Sequence, residues 1–264
     1  MTTTSKHLLE YVSIQGTKVR LMQGGTGEPL IYLHGAAGGG NWLPCLDLLS
    51  KHFQVYAPEH PGYGKSENCT KIQSMTDLAY FYLDLMDDLS IDSATFVGSS
   101  LGGWLALEIA IIAPHRVSKL ILLDSAGIRV EGVEVVDQFI MDPNDVLELL
   151  FYDKSIPEKL RSLGSSDPEA VEMNIRNRIM TSHLAWNPYF HNPKIRERIH
   201  RVKIPVLIVW GEKDEIFPVE YGHEFLNLLP NAKLTVIKDC GHLPAQEKVN
   251  EFYNEAISFL QGGE

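Results

Sequence analysis

The segment at residues 94–113 constrains the fold of this chain more than any other part. It starts with a short apolar run at 95–97, continues as Gly-Ser-Ser-Leu-Gly at 98–102, and becomes an apolar helical segment from Gly103. This G-x-S-x-G spacing is typical of a sharp strand-to-helix turn, whose glycines allow the helix to pack closely on the strand. Ser100 is therefore the candidate nucleophile, since free N–H groups at the helix start would face an anion forming there.

The same five residues are also compatible with an ordinary turn, because glycine and serine are common in any strand-to-helix connection. A catalytic interpretation requires a base, an acid and donors for an oxyanion elsewhere in the chain.

A second small-residue loop supplies candidate oxyanion donors. The continuous apolar run at 29–33 predicts a strand buried on both faces of a parallel sheet, and His-Gly-Ala-Ala-Gly-Gly-Gly follows at 34–40. Small residues let the backbone approach a substrate, so the N–H groups of Ala36 and Leu101 are the predicted donors. The loop could instead be a flexible turn or a phosphate loop, and the fingerprint of a phosphate loop is missing.

Composition bounds the class of protein. A chain of 264 residues with 44% hydrophobic residues can form one large domain, or one domain plus a modest insertion. Its net charge of −11 argues against nucleic-acid and anionic-membrane partners, which need clustered Lys and Arg. No segment shows the apolar core of a signal peptide or the length of a membrane span, which predicts a cytoplasmic protein. The cysteines, Cys45, Cys69 and Cys240, lack CxxC spacing and suggest neither a disulfide framework nor a zinc site.

Apolar strand patterns alternate with helical ones in residues 1–127 and again in 205–264, which predicts a mostly parallel sheet with helices on both faces. Residues 128–204 show no buried strand pattern, so we expect an all-helical cap over the carboxyl ends of the strands, where ligands bind in open α/β sheets. The helical stretches predicted there are 145–152, 157–163 and 168–185.

Within the cap, Phe139 and Trp186 are candidates for contact with a substrate, against the possibility that they only pack between helices. Arg176 and Arg178 are candidates for binding a substrate carboxylate, although helix arginines commonly stay in water.

A base and an acid follow the last two predicted strands. Asp214 lies in the loop after the apolar run 205–210, and His242 lies in the loop after 232–237. The order Ser100, Asp214, His242 places nucleophile, acid and base at the ends of strands that a sheet brings together. Asp214 is preferred because a position a few residues past the strand leaves room to reach the histidine. The rival acids are Asp124, Glu212 and Glu215.

Two further residues with reactive side chains are interpreted as structural. His60 lies inside the Pro- and Gly-rich loop 58–66, where a histidine is more often a hydrogen-bonded loop residue than a base. Cys240, two residues before His242, is interpreted as a small filler of a packed turn.

Over essentially its whole length the chain resembles the α/β-hydrolase fold superfamily. The motifs that carry the resemblance are His34-Gly35-Ala36 and the segments 61–66, 98–102, 210–214 and 240–242. The resemblance implies an eight-stranded, mostly parallel sheet with a helical cap inserted after the sixth strand. A serine at the elbow makes the chain unlike the epoxide hydrolases and haloalkane dehalogenases, which use a carboxylate. Further predicted substrate contacts are His34, Gly35, Ser99 and Leu243.

The predicted activity is hydrolysis of carboxylic esters of small to medium acyl chain through an acyl-enzyme, with no metal or organic cofactor. The closest rival is a carbon–carbon bond hydrolase that cleaves vinylogous 1,5-diketones from aromatic ring fission, because those enzymes are similar in length, cap and Cys-Gly-His turn. Against it stand Leu243, where many of them carry tryptophan, and Ser99, where they often carry asparagine.

A lactonase or a perhydrolase would use the same triad, and a small-molecule receptor of the same fold would bind a ligand with little or no turnover. The only partner predicted is a small-molecule substrate, and the sequence makes no prediction of oligomeric state.

Overall fold

The structure is a computed structural model that describes residues 7–164 and 167–262. Residues 1–6, on which part of the signal-peptide prediction rests, lie outside the described residues. The strands are β1 (Leu8–Ile14), β2 (Thr17–Gly24), β3 (Pro29–Leu33), β4 (Gln54–Pro58), β5 (Ala94–Ser99), β6 (Val117–Leu123), β7 (Val206–Gly211) and β8 (Ala232–Ile237). The helices are α1 (Pro44–Leu49), α2 (Met75–Asp88), α3 (Leu101–Ile112), α4 (Pro143–Leu149), α5 (Ser155–Gly164), α6 (Pro168–Ala185), α7 (Lys194–Arg198), α8 (Glu220–Leu228), α9 (Pro244–Glu247) and α10 (Val249–Leu260). In this described part of the chain, no helix has the length and apolar character that crossing a membrane would require.

All eight of these strands form a single sheet in the order β1-β2-β4-β3-β5-β6-β7-β8. The pairs β1/β2 and β2/β4 are antiparallel, and the remaining pairs are parallel. The predicted eight-stranded, mostly parallel sheet is therefore confirmed. The chain leaves β3 on one side to form β4 and returns on the other side to form β5, so the carboxyl ends of β3 and β5 flank the switch point where such sheets bind ligands.

Helices cover both faces of the sheet because the central strands carry apolar residues on both faces. Every residue of β5 and β7 is buried. Along β3, Ile31 and Leu33 belong to a core cluster with α2, α3 and α8, whereas Leu30 and Tyr32 belong to a second cluster with α1, α9 and α10. This alternation follows from the two-residue period of a strand.

Among the described residues between β6 and β7, only helices and turns are found, apart from a single isolated bridge between Gly127 and His191. Helix α6 has the bounds expected from its pattern, whereas α4 starts at Pro143, before the predicted residue 145. The earlier start has a local cause, since the Asp142 side chain accepts a hydrogen bond from Asn144 N at 2.8 Å and caps the helix. The division into a core of 1–127 and 205–264 and a cap of 128–204 stays a prediction.

Candidate active site

Ser100 occupies the turn between β5 and α3 with a φ of +54° and a ψ of −114°. A non-glycine residue is strained there, and such strain is a recurrent property of functional sites. The flanking glycines make the turn sterically possible. A Cβ on Gly98 would collide with the backbone of Gly102, and a Cβ on Gly102 would collide with the Leu33 carbonyl. The Ser100 N–H donates to Leu123 O at 2.8 Å, which fixes the turn at the carboxyl edge of the sheet.

His242 and Asp214 meet at the neighbouring strand ends. His242 Nδ1 donates to Asp214 Oδ2 at 2.8 Å, and both side chains are buried. Asp214 Oδ1 accepts the backbone N–H groups of Ile216 at 2.8 Å and Phe217 at 3.0 Å. These bonds orient the carboxylate, and because the His242 proton sits on Nδ1, Nε2 is left with a free lone pair that can act as a base.

Asp124, the rival acid, is also present at this edge but is not the hydrogen-bond partner of His242. It follows β6 directly, is fully buried, and its Oδ1 accepts the Gly211 N–H at 2.8 Å. One carboxylate oxygen of Asp124, one carboxylate oxygen of Asp214 and one ring nitrogen of His242 all lie within 4.8 Å of one another. Among the described residues this is the only group of its kind close enough to share a cation, and the hydrogen bond between His242 and Asp214 accounts for the approach of two of its three members.

The loop after β3 passes beside Ser100. A Cβ on Gly35 would lie 3.3 Å from Ser100 Cβ, and Gly38 N donates to Gly35 O at 3.1 Å to close a tight turn. Leu101 is the first residue of α3, so its N–H has no acceptor within the helix. The predicted oxyanion donors, Ala36 and Leu101, thus belong to the two segments that meet at Ser100.

Two residues of α6 hold this loop, and the sequence motifs do not single them out. Asn177 Nδ2 donates to Ala37 O at 2.7 Å, and Thr181 Oγ1 donates to Ala36 O at 3.2 Å. Both side chains are buried. The available signal was their spacing of four residues, which puts two polar side chains on one face of a helix.

His34 and His60 form a buried pair beneath the loop, with ring centroids 3.7 Å apart. His34 Nδ1 donates to Gly35 O at 2.8 Å, while its Nε2 accepts the His60 N–H at 2.9 Å. His60 Nε2 donates to His34 O at 3.1 Å, and its Nδ1 accepts from the Tyr82 hydroxyl. Both rings are satisfied as neutral imidazoles. Burial lowers the pKa of His34 to about 4, and burial together with the neighbouring His34 lowers the pKa of His60 well below its usual value.

The remaining predicted substrate contacts lie at different depths. Phe139 stacks on Phe190 at 5.5 Å between ring centroids. Phe190 contacts Phe217 at 6.0 Å, and Phe217 lies 5.6 Å from the His242 ring, so this aromatic chain joins the segment between β6 and β7 to the base. Leu243 follows His242 directly and is half-buried.

Trp186 adjoins the outer end of this chain of rings, with its ring centroid 5.3 Å from that of Phe139, whereas Ser99 lies two residues after Val97 on the other core face of β5. Trp186 is 55% exposed and lines an open groove of about 790 Å³ together with Phe139 and residues of α6. The buried Ser99 lies on the face of β5 that carries Val97, which belongs with Tyr32 to the core on the α1, α9 and α10 face of the sheet.

Both candidate arginines of α6 are engaged with backbone carbonyls. Arg176 donates to Ser66 O at 2.9 Å, and Arg178 donates to Phe139 O at 2.6 Å and Met141 O at 3.0 Å. Each guanidinium therefore joins α6 to a neighbouring loop.

The comparisons with known proteins agree with this arrangement of strands and loops. A family model described as the alpha/beta hydrolase fold matches residues 28–249. The chain belongs to the alpha/beta hydrolase family. Its elbow, its β7 and β8 loops and the loop after β3 all fall within the matched range of this α/β-hydrolase.

Curated relatives match this α/β-hydrolase over nearly its full length. A 2-hydroxy-6-oxo-6-(2'-aminophenyl)hexa-2,4-dienoic acid hydrolase of Metapseudomonas resinovorans is 27% identical, covering 97% of this chain and 92% of the relative. A 2-hydroxy-6-oxononadienedioate/2-hydroxy-6-oxononatrienedioate hydrolase of Paraburkholderia phymatum is 29% identical and covers 98% of both chains.

Solved structures share the fold. The meta-cleavage product hydrolase CumD of Pseudomonas fluorescens IP01 matches with a TM-score of 0.80 at 25% identity, over 97% of this chain and 98% of CumD. A membrane phospholipase A, described as a bacterial virulence factor, matches with a TM-score of 0.84 at 22% identity, over 97% of this chain and 86% of that one. The likeness to the phospholipase shows the fold alone.

Proposed function

We propose that this α/β-hydrolase cleaves a carbon–carbon bond in vinylogous 1,5-diketones, with Ser100 as nucleophile, His242 as base and Asp214 as the acid that orients it. The observation that carries the catalytic part is the 2.8 Å bond between His242 Nδ1 and Asp214 Oδ2 at the strand ends beside the strained Ser100 turn. The substrate class is supported by the relatives, which are named as hydrolases of 2-hydroxy-6-oxo-dienoates.

In the first step His242 Nε2 removes the Ser100 hydroxyl proton, and Ser100 Oγ attacks the 6-oxo carbonyl carbon. Asp214 stabilises the imidazolium that forms. The N–H groups of Ala36 and Leu101 receive the oxyanion, and one such donor typically contributes about 10² to 10³ in kcat.

In the second step the tetrahedral intermediate collapses and the carbon–carbon bond breaks. Its electron pair passes into the conjugated keto system of the leaving fragment, and the imidazolium of His242 protonates that fragment. Water, deprotonated by His242, then attacks the acyl group on Ser100, releasing a carboxylic acid and the free hydroxyl. None of these steps draws on a metal or an organic cofactor.

Hydrolysis of neutral carboxylic esters is the second candidate function. The two α6 arginines each bind backbone carbonyls through Nη2, which ties both guanidiniums to loops and favours a substrate that needs no cationic partner. Leu243 also adds an apolar side chain next to the base. A neutral ester needs no cationic partner and would be attacked at Ser100 by the same steps.

The test is a parallel assay of one ring-fission dienoate and a series of 4-nitrophenyl esters of increasing acyl length, with the wild type and Ser100→Ala. Ser118→Ala, which replaces an exposed serine near the start of β6, is the matched control. We expect Ser100-dependent cleavage of the dienoate with a higher kcat/KM than for any ester. A preference for esters would favour the second candidate, and silence on both substrates would favour a receptor of the same fold.

A further inference from the structure

We propose that Asp124 is a positioning acid of this site: its neutral carboxyl donates a hydrogen bond to Asp214, and it takes over beside His242 when Asp214 is lost. The proposal rests on the proposed function, because it assigns a role in orienting the proposed base.

The position of Asp124 is the first observation. It is the residue directly after β6, between the β5 turn that carries Ser100 and the β7 loop that carries Asp214. Its φ of +42° is unusual for a residue with a side chain, and its carboxyl is completely buried. A strained, buried carboxyl with one oxygen, Oδ2, left without a hydrogen-bond partner requires a physical explanation.

The hydrogen bonds distinguish the two acids. Asp214 receives three, from His242 Nδ1 and from the backbone N–H groups of Ile216 and Phe217. Asp124 receives one, from Gly211, and its Oδ2 has no partner among the conventional hydrogen bonds of the described residues. Two carboxylates this close in a buried site cannot both stay ionised at low cost. The negative charge therefore belongs on Asp214 and the proton on Asp124.

The other titratable groups near Asp124 also favour its protonated form. Besides Asp214 and His242, its electrostatic neighbours are Glu247 on α9 and Cys240 after β8. Neither adds a positive charge. Burial, followed by the charge of Asp214, raises the pKa of Asp124 well above its usual value. A proton on Asp124 Oδ2 would satisfy this oxygen by donating to Asp214.

Removal of the Asp214 charge should allow Asp124 to become the ionised acid. In Asp214→Asn, the repulsion from Asp214 is gone and burial alone still favours the neutral form, so Asp124 releases its proton to solvent as the pH rises and then presents a carboxylate to His242. One carboxylate oxygen of Asp124 and one ring nitrogen of His242 already lie within 4.8 Å of each other. Asp124 then stabilises the imidazolium formed during attack by Ser100.

The test compares kcat/KM for Asp124→Asn, Asp214→Asn and the double variant, on whichever substrate the wild type cleaves. Asparagine keeps the Oδ1 acceptor for Gly211 and supplies an N–H donor toward Asp214, so Asp124→Asn removes only the ionisable carboxyl, and its own loss of activity is the baseline for the double variant. Loss of the triad acid alone can cost about 10⁴ in kcat. We expect Asp214→Asn to retain at least tenfold more activity than the double variant.

The pH profile separates a reserve acid from a merely structural role. The activity of Asp214→Asn should rise with pH as Asp124 ionises, and the activity of the double variant should not show this rise. The control pair is Asp214→Asn with Glu108→Gln. Glu108 is a buried carboxyl whose Oε1 accepts from Trp104 and Asn192, and glutamine keeps that acceptor. This pair should match Asp214→Asn alone.

A readout without turnover tests the neutral state of Asp124 independently. With a raised folded-state pKa, Asp124 stabilises the protein fully below the unfolded value near pH 4 and loses that contribution as pH rises toward the folded value. The Tm of Asp124→Asn, relative to the wild type, should therefore increase between pH 5 and 8.

Equal activities of Asp214→Asn and the double variant, or a pH-independent difference in Tm, would overturn the proposal. A wild type inactive on every substrate, with the expected Tm shift intact, would instead overturn the proposed function and leave the protonation state of Asp124 standing.

Discussion

Burial and hydrogen bonding determine which protonation state each histidine near the site can hold. His34 and His60 use every ring nitrogen in a way that only neutral rings allow, so protonating either would break a buried bond. His242 differs, because Asp214 accepts its Nδ1–H and can balance a positive ring. Three buried histidines therefore divide into two that shape the loop after β3 and one that can exchange a proton.

The neutral pair should make the protein sensitive to acid. Unfolded histidines take up protons near pH 6.5, while folded His34 resists until about pH 4, so stability falls as pH drops through this window. The contribution of His34 is on the order of 3 kcal/mol, since each pKa unit corresponds to about 1.4 kcal/mol. Tm measured from pH 7.5 to 5.0 should fall less steeply for His34→Gln than for the wild type.

His115→Gln, a replacement at the surface, is the control and should keep the wild-type slope. Parallel Tm curves for His34→Gln and the wild type would refute this account of the pair.

At the scale of elements, α6 connects the segment between β6 and β7 to the loops that surround Ser100. Asn177 Oδ1 accepts the Gly64 N–H at 2.8 Å while its Nδ2 donates to Ala37 O, so one amide bridges two loops. Thr181 Oγ1 donates its one proton to Ala36 O and accepts from the Tyr63 hydroxyl at 2.8 Å. The helix therefore sets the position of the proposed oxyanion donor Ala36.

Thr181→Val keeps the shape of the side chain but removes the donor to Ala36 O. A buried carbonyl left without its donor costs about 1–3 kcal/mol of stability. Displacing the loop by a fraction of an ångström should lower kcat/KM about tenfold, given that a 1 Å misplacement can cost about 10². The effect should fall on kcat, because the donor acts on the oxyanion. Steady-state kinetics with the assayed substrate measure it.

Ser182→Ala, the next residue of α6, is the matched control, because its hydroxyl donates to Ile179 O on the same helix and so does not join α6 to the loop. If Thr181→Val and Ser182→Ala had the same kcat, α6 would not position the loop.

Over the whole molecule, the sheet topology and the net charge act on the site together. The switch point between β3 and β5 gathers the loops at one edge, and the chain carries a net charge of −11. A charge of this size raises the barrier for approach of an anion, and salt screens it over about 8 Å at physiological ionic strength.

A dienoate, which carries a carboxylate, should therefore be cleaved with a kcat/KM that rises several-fold between 20 and 200 mM NaCl. Neutral 4-nitrophenyl esters should show little change, which makes them the internal control. A fall in kcat/KM for the dienoate with salt would indicate a local positive field that outweighs the net charge.

The sequence by itself determined what local rules and strand order control: the alternation of strands and helices, the tight serine turn, and the placement of Asp214 and His242 after the last two strands. These depend on short-range sterics and on the fact that parallel strands end at one edge.

The choice between Asp124 and Asp214 as the partner of His242 was left to the tertiary structure, because both acids follow strands and only sheet register decides which oxygen comes within 2.8 Å. The same holds for Asn177 and Thr181, whose carbonyl partners lie about 140 residues earlier in the chain, and for Ser99, which the pleat directs to the opposite core. Contacts between distant segments depend on how helices pack on the sheet, and no local pattern specifies them.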